Sequence, residues 1–413
     1  MSSTEEIIQK AKTFGSHNYA PFDLVIVRGE GARVWDPEGR EYLDLLGGYS
    51  ALNHGHRHPR IMAVAHAQLD KVSVVARAFL NEPLAELCES LCKISGLDRV
   101  MPMNSGAEAV ESAIKVVRAW GYRVKGVPAG RAHIITCANN FHGRTTTVVS
   151  FSSEAAYREP FAPSTPGFSQ IPFGDTEALE RAITPETVAF LAEPIQGEGG
   201  IVLPPAGWMA AVREICTRRN IALIWDEVQT GLGRTGRMFR WQHEDARPDL
   251  MTLGKALGGG VMPVSACVGR REVMDAILPG EHGSTFGGSP LAMAIAREAL
   301  AVLVDERLSD RAADLGARAM QKLRDARLPG VKDVRGAGML IGIELEPWVG
   351  GAHDLCERLI RNGVLTKETR KHVLRLAPPL VIRDEELWRG VDITMRTIRE
   401  MVEHARGAAT TAP

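Results

Sequence analysis

The chain has 413 residues, with 49 Lys+Arg against 50 Asp+Glu and a formal net charge of −1. That length predicts two domains or one large domain with appendages, and the charge balance excludes a protein that binds nucleic acid by neutralising phosphates. With 45% hydrophobic and 24% charged residues the composition is that of a globular chain rather than a disordered one.

The opening stretch MSSTEEIIQKAKTF carries acids and lacks the apolar region of a secretory signal. It reads as a helix ending near Phe14, followed by an extended arm from Asn18-Tyr19. LVIVRGEGARVWDPEGREYLDL then alternates strand-like runs with Gly and Asp-Pro turns, which predicts an antiparallel meander. HPRIMAVAHAQLDKV and PLAELCESLCKI have helical periodicity. No apolar run approaches the roughly 20 residues that span a bilayer. The six cysteines, at 88, 92, 137, 216, 267 and 356, form no C-x-x-C pair, which fits a reducing, cytoplasmic setting.

Four short apolar runs in the middle, at 133–136, 188–192, 221–225 and 249–253, read as buried parallel strands. GWMAAVREICTRRN, between the second and third, has the length of a crossover helix. Each run ends at polar groups: Phe141-His142-Gly143-Arg144, Glu193, Asp226-Glu227 and Gly254-Lys255. In an open α/β sheet, ligands bind just beyond the carboxyl ends of the strands, so these four ends predict one site. Beyond about residue 290 long helices, then GMLIGIELE and HVLRLAPPL, and a helix from Asp384 to about Ala405 predict a smaller α+β domain. The tail GAATTAP (407–413) is expected to fray.

Local readings of the motifs leave alternatives open. Ser105, Gly106 and Ala107 open an amphipathic helix, either as an anion site at free backbone N–H groups or as a plain capping box with Glu108. Lys255 in its glycine-rich loop is either a poorly solvated Schiff-base nucleophile or a surface lysine. Asp226 needs a cationic or hydrogen-bonding partner, and a protonated pyridine nitrogen or a structural arginine (Arg234, Arg237) could supply one. Gly231-Leu-Gly233-Arg-Thr-Gly236 fits G-x-G-x-x-G, but no helix pattern follows it, so dinucleotide binding is rejected. His54, His56 and His58 alternate in a Gly/Pro loop that reads as structure, and no metal site is expected.

Together NSGAEA, FHGRT, EPIQGEGG, DEVQTGLGRTG, TLGKALGGG and HGSTFGG resemble, in order and spacing, the class III aminotransferases, pyridoxal-phosphate enzymes of fold type I. The resemblance covers nearly the whole chain. It implies a large domain with a mostly parallel central sheet flanked by helices (48–310), and a smaller α+β domain built from both termini (1–47 and 311–413). It also implies that Lys255 carries the cofactor and moves the proton, and that Asp226 keeps the pyridine nitrogen protonated. Gln229 would bond the phenolic oxygen, Phe141 and Val228 would sandwich the ring, and Ser105, His142, Glu193 and Ser284 would complete the pocket. The phosphate would take backbone N–H groups of Gly106 and Ala107, and Thr285 from a second subunit of a homodimer with shared sites.

SHNYAPF, GGYSALNHGH, WGYRVKGV and VLRLAPPLVI further resemble the ornithine aminotransferase branch. This implies that Arg144 and Tyr19 bind the substrate α-carboxylate, that Tyr49 favours free ornithine, and that Arg375 pairs with Glu198 until a second substrate needs it. The implied reaction moves the δ-amino group of L-ornithine to 2-oxoglutarate, and the resulting semialdehyde cyclises to pyrroline-5-carboxylate. Alternatives are an acetylornithine or other ω-amino-acid aminotransferase, or a racemase or aminomutase on the same scaffold. His142 stands where the ornithine branch often has Trp and acetylornithine enzymes have His.

Overall fold

The four apolar runs become neighbours in one seven-stranded sheet in the computed structural model, which describes residues 4–410. Its strands are β1 (Arg99–Met103), β2 (His133–Cys137), β3 (Phe168–Ile171), β4 (Thr187–Ala192), β5 (Ala222–Asp226), β6 (Leu250–Leu253) and β7 (Ser265–Gly269). Their order is β1-β7-β6-β5-β4-β2-β3. β7 pairs antiparallel with both neighbours, and every other pairing is parallel.

β4, β5 and β6 are buried at every residue, which is why they read as continuous apolar runs rather than alternating ones. Alternate side chains serve different cores: Phe190, Trp225 and Met251 pack in one cluster, Leu191, Ile224 and Leu250 in another. β1, β3 and β7 were not among the expected strands. β1 contains Pro102 and is half exposed, and β7 carries the small or polar Ser265, Ala266 and Gly269 among its five residues, so neither gives a long apolar signal.

The N-terminal meander forms from Arg28–Glu30, Arg33–Trp35 and Glu41–Asp44, and the last of these pairs in parallel with Val364–Leu365. A separate antiparallel sheet has the order Val331–Ala337, Leu340–Leu345, Val373–Leu376, Lys367–Arg370. The last helix runs Asp384–Thr410, past its expected end. Ala408 and Ala409 have high helix propensity and no proline intervenes before Pro413, so the part of the tail through Thr410 is helical; 411–413 lie outside the described residues. No described helix is long and apolar enough to cross a membrane.

Candidate active site

A cavity of about 200 Å³ opens at the carboxyl ends of β2, β4, β5 and β6. It is lined by Gly106, Ala107, Phe141, His142, Glu193, Glu198, Asp226, Val228, Gln229 and Lys255, among others. The topology explains the gathering: Asp226 ends β5, Glu193 follows β4, and Lys255 lies two residues beyond β6. Lys255 follows an extended Gly254 and itself takes φ +46°, a left-handed conformation costing about 1 kcal/mol or more in a non-glycine residue.

Three donors hold Asp226. His142 Nδ1 donates to Oδ2 at 2.6 Å, while the Val228 N–H (3.1 Å) and the Thr252 hydroxyl (3.0 Å) donate to Oδ1. Burial alone would raise its pKa, but the His142 hydrogen bond and charge and the Val228 amide outweigh it, and the carboxyl is held below its usual 3.8. His142 responds in the opposite sense. Burial disfavours its charged form, yet Asp226 raises its pKa above 6.5. Neither arginine expected as a structural partner reaches Asp226. Arg234 is buried elsewhere, donating to the Met339 and Pro378 carbonyls and to Asn53, and Arg237 takes no part.

Burial lowers the pKa of the Lys255 amine from 10.5, with Asp226 and Glu198 opposing the shift. Glu193 is buried and pushed up to about 7, although it accepts hydrogen bonds from the Phe141 (3.0 Å) and Gly197 (3.1 Å) amides.

Ser105 does form the capping box. Its hydroxyl accepts from the Glu108 amide at 3.2 Å while Glu108 accepts from the Ser105 amide at 2.7 Å. The box organises a helix start whose next two residues, Gly106 and Ala107, line the cavity, so the two readings coexist. A Cβ at Gly106 would sit 2.9 Å from Val228 Cγ1, so that backbone approaches the cavity as only glycine allows. His54, His56 and His58 take separate partners, the Ala299 carbonyl, Asp44 and Glu306.

Seven of the expected residues lie outside the cavity lining: Ser105, Ser284, Thr285, Tyr19, Tyr49, Arg144 and Arg375. Ser284 accepts from Asn104 Nδ2 (3.0 Å), Thr285 is exposed, Tyr19 is 79% exposed on the N-terminal arm, and Ser105 sits outside at the helix cap. At the rim, Arg375 is completely buried and paired with Glu198, and its guanidinium lies 5.0 Å from the Tyr49 ring centroid. Arg144 is exposed, stacked 3.6 Å over Tyr157.

Sequence reasoning missed Thr252 and Tyr157. Thr252 is the one polar residue in the run LMTL and pairs in register with Asp226, a signal that was present. Tyr157 sits in an aperiodic connection and gave none.

Pyridoxal phosphate fits this donor set. A desolvated amine, an anionic carboxylate and a glycine-opened helix start face one cavity. The buried atoms Gln229 Oε1 and His142 Nε2 have no hydrogen-bond partner among the described residues, leaving polar capacity beside a ligand. The fold and site define a pyridoxal-phosphate-dependent enzyme, and residues 14–398 match the family Aminotransferase class-III, to which the chain belongs.

The chain is 50% identical over 392 residues to the ornithine aminotransferase of Brevibacillus brevis, covering 95% of this chain and 98% of the relative. The ornithine aminotransferase structure from Toxoplasma gondii superposes with a TM-score of 0.96 at 44% identity, over 98% of this chain and 96% of that one. An acetylornithine aminotransferase from Elizabethkingia anophelis gives 0.88 at 42% identity, over 97% and 100%.

Proposed function

We propose that the protein transfers the δ-amino group of L-ornithine to 2-oxoglutarate, giving glutamate 5-semialdehyde and glutamate by a ping-pong cycle. The observation that carries the reading is a buried arginine masked by a carboxylate at the rim of the lysine-bearing cavity: Arg375 on Glu198. One pocket must take a distal amine first and an α-amino product later, and a releasable ion pair offers the second carboxylate site only when needed. The ornithine aminotransferase relatives support the same substrate.

Pyridoxal phosphate supplies an electrophilic aldehyde and a cationic ring that accepts the electron pair released at the amine-bearing carbon. Lys255 Nζ would hold the cofactor and would carry the proton lost by the substrate carbon. Asp226 would keep the ring nitrogen protonated, Phe141 and Val228 would hold the ring, and Gln229 would bond its phenolic oxygen. Ser105, Gly106 and Ala107 form the phosphate cradle, His142 supports Asp226, and Glu193 fixes the Phe141 and Gly197 amides. Arg144, with Tyr19, would take the ornithine α-carboxylate, and the Tyr49 phenol would crowd an acylated amine.

We assign the cradle's remaining donors, Ser284 and Thr285, to a neighbouring copy, making a homodimer with shared sites. Supporting this are the exposure of Thr285 and of the apolar Phe79, Leu80 and Phe286, at 69%, 95% and 56%. The termini-derived small domain (1–47 and 311–413) and a cytoplasmic setting belong to the same proposal, the latter in keeping with six unpaired cysteines.

The test is kcat/KM for ornithine, N-acetylornithine, 4-aminobutyrate and lysine with 2-oxoglutarate. Ornithine should lead; equal or better turnover of N-acetylornithine overturns the assignment in favour of the acetylornithine reading.

A further inference from the structure

The two arginines at the site are held in opposite ways. Arg375 is buried and its charge is met by Glu198. Arg144 has no carboxylate or carbonyl on its guanidinium among the described residues. Instead its Cζ lies 3.6 Å from the Tyr157 ring centroid and 5.6 Å from that of Phe141. Stacking holds a guanidinium by its face and leaves its five in-plane N–H donors unused. A carboxylate partner would spend those donors and would have to be displaced before a substrate could bind.

Tyr157 is itself fixed from two sides. Its ring meets Phe141 edge-on, with centroids 6.5 Å apart and planes at 80°. The short helix Ala155–Arg158 that carries it is tied down just upstream. The Ser153 hydroxyl accepts from the Asn139 amide (2.7 Å), Arg158 donates to the Ser152 carbonyl (3.1 Å), and Glu154 pairs with Arg370 at 3.0 Å. Arg370 lies on the strand Lys367–Arg370, which pairs with the strand bearing Arg375. One connection therefore links the cavity wall, the unmasked arginine and the strand of the masked one.

We propose that Tyr157 is a positioning residue for substrate carboxylates, holding Arg144 over the cavity mouth with all its donors available. The inference rests on the reading that Arg144 binds the substrate α-carboxylate. It predicts an effect concentrated on carboxylate-bearing substrates, because Tyr157 bears on Arg144 at 3.6 Å whereas its contact with the Phe141 ring is a looser one at 6.5 Å.

The experiment compares holoenzymes carrying Tyr157→Leu, Tyr157→Phe and Arg144→Leu with the unaltered enzyme. The substrates are ornithine and 1,4-diaminobutane, which is ornithine without its α-carboxylate, followed as single-turnover amine transfer. Tyr157→Leu should raise the ornithine half-saturation concentration about 3- to 30-fold. The limiting rate and the diaminobutane kinetics should stay within about twofold. Tyr157→Phe, which keeps the aromatic face, should restore ornithine binding. If Arg144→Leu weakens ornithine binding but Tyr157→Leu does not, the positioning role is wrong while the carboxylate reading stands. If Arg144→Leu leaves ornithine binding unchanged, the carboxylate reading itself fails. Equal losses on both substrates in Tyr157→Leu would mark general damage to the loop and also overturn the proposal.

Discussion

His142 Nδ1 lies 2.6 Å from Asp226 Oδ2, with both side chains buried. An ionised carboxylate only accepts, so the imidazole carries its proton on Nδ1. The pair sets a pH window. The raised pKa of His142 means that its contribution to stability is complete below 6.5 and is lost as pH rises through the higher folded value. The lowered pKa of Asp226 means that its contribution is complete above 3.8 and is lost as pH falls through the lower folded value. Replacing His142 with Leu leaves Asp226 two donors and should lower kcat about tenfold, the worth of a hydrogen bond to a charged group. It should also remove the stability loss on the alkaline side of 6.5. Thermal melts from pH 5 to 9 and steady-state kinetics check both, and an unaltered kcat would contradict the supporting role.

Lys255→Ala should lower turnover by about 10²- to 10⁴-fold or more, since it removes the proton carrier as well as the anchor. In the unaltered enzyme the lysine must be neutral to attack an aldehyde. Because burial depresses its pKa, the rate of cofactor loading into apoprotein should level off at a pH below 10.5. Stopped-flow absorbance across pH measures this; a midpoint at 10.5 would show a solvated amine.

Glu198→Ala strips the partner from a fully buried guanidinium. Part of the Glu198 side chain is solvent-exposed, which reduces the cost to about 1–3 kcal/mol of stability. With Arg375 permanently unmasked, glutamate should improve as an amine donor relative to ornithine by about tenfold, for which the ratio of the two kcat/KM values is the readout. An unchanged ratio would remove the switch from the account.

Glu193 is pushed up to about 7, so the folded state favours its neutral form while the unfolded chain ionises near 4.5. Stability should therefore fall as pH rises between those values, by a few kcal/mol at most. Glu193→Gln should flatten that slope in melts of the apoprotein from pH 4.5 to 8. A slope equal to that of the unaltered protein would place the titration elsewhere.

Much of the site was legible because its residues sit at the ends of strands buried on both faces, and such strands announce themselves as apolar runs. Asp226 after IALIW and Lys255 after DLMTL needed only that rule and the motif resemblance. Of the partners left open for Asp226, the arginine alternative fails because proximity in sequence is not contact. Arg234 turns towards Met339 and Pro378, whereas His142 reaches Asp226 through the sheet order, in which β2 and β5 flank β4. Tyr157 was invisible for a related reason: its contact with Arg144 depends on how an irregular connection folds back, and no periodicity records that.

The most direct measurement is the absorbance spectrum of the holoenzyme mixed with L-ornithine and no keto acid. Amine transfer at Lys255 predicts loss of the long-wavelength cofactor band with one equivalent of semialdehyde formed per site, and its return on adding 2-oxoglutarate. A band that persists with ornithine, or that is discharged by N-acetylornithine alone, would contradict the assignment.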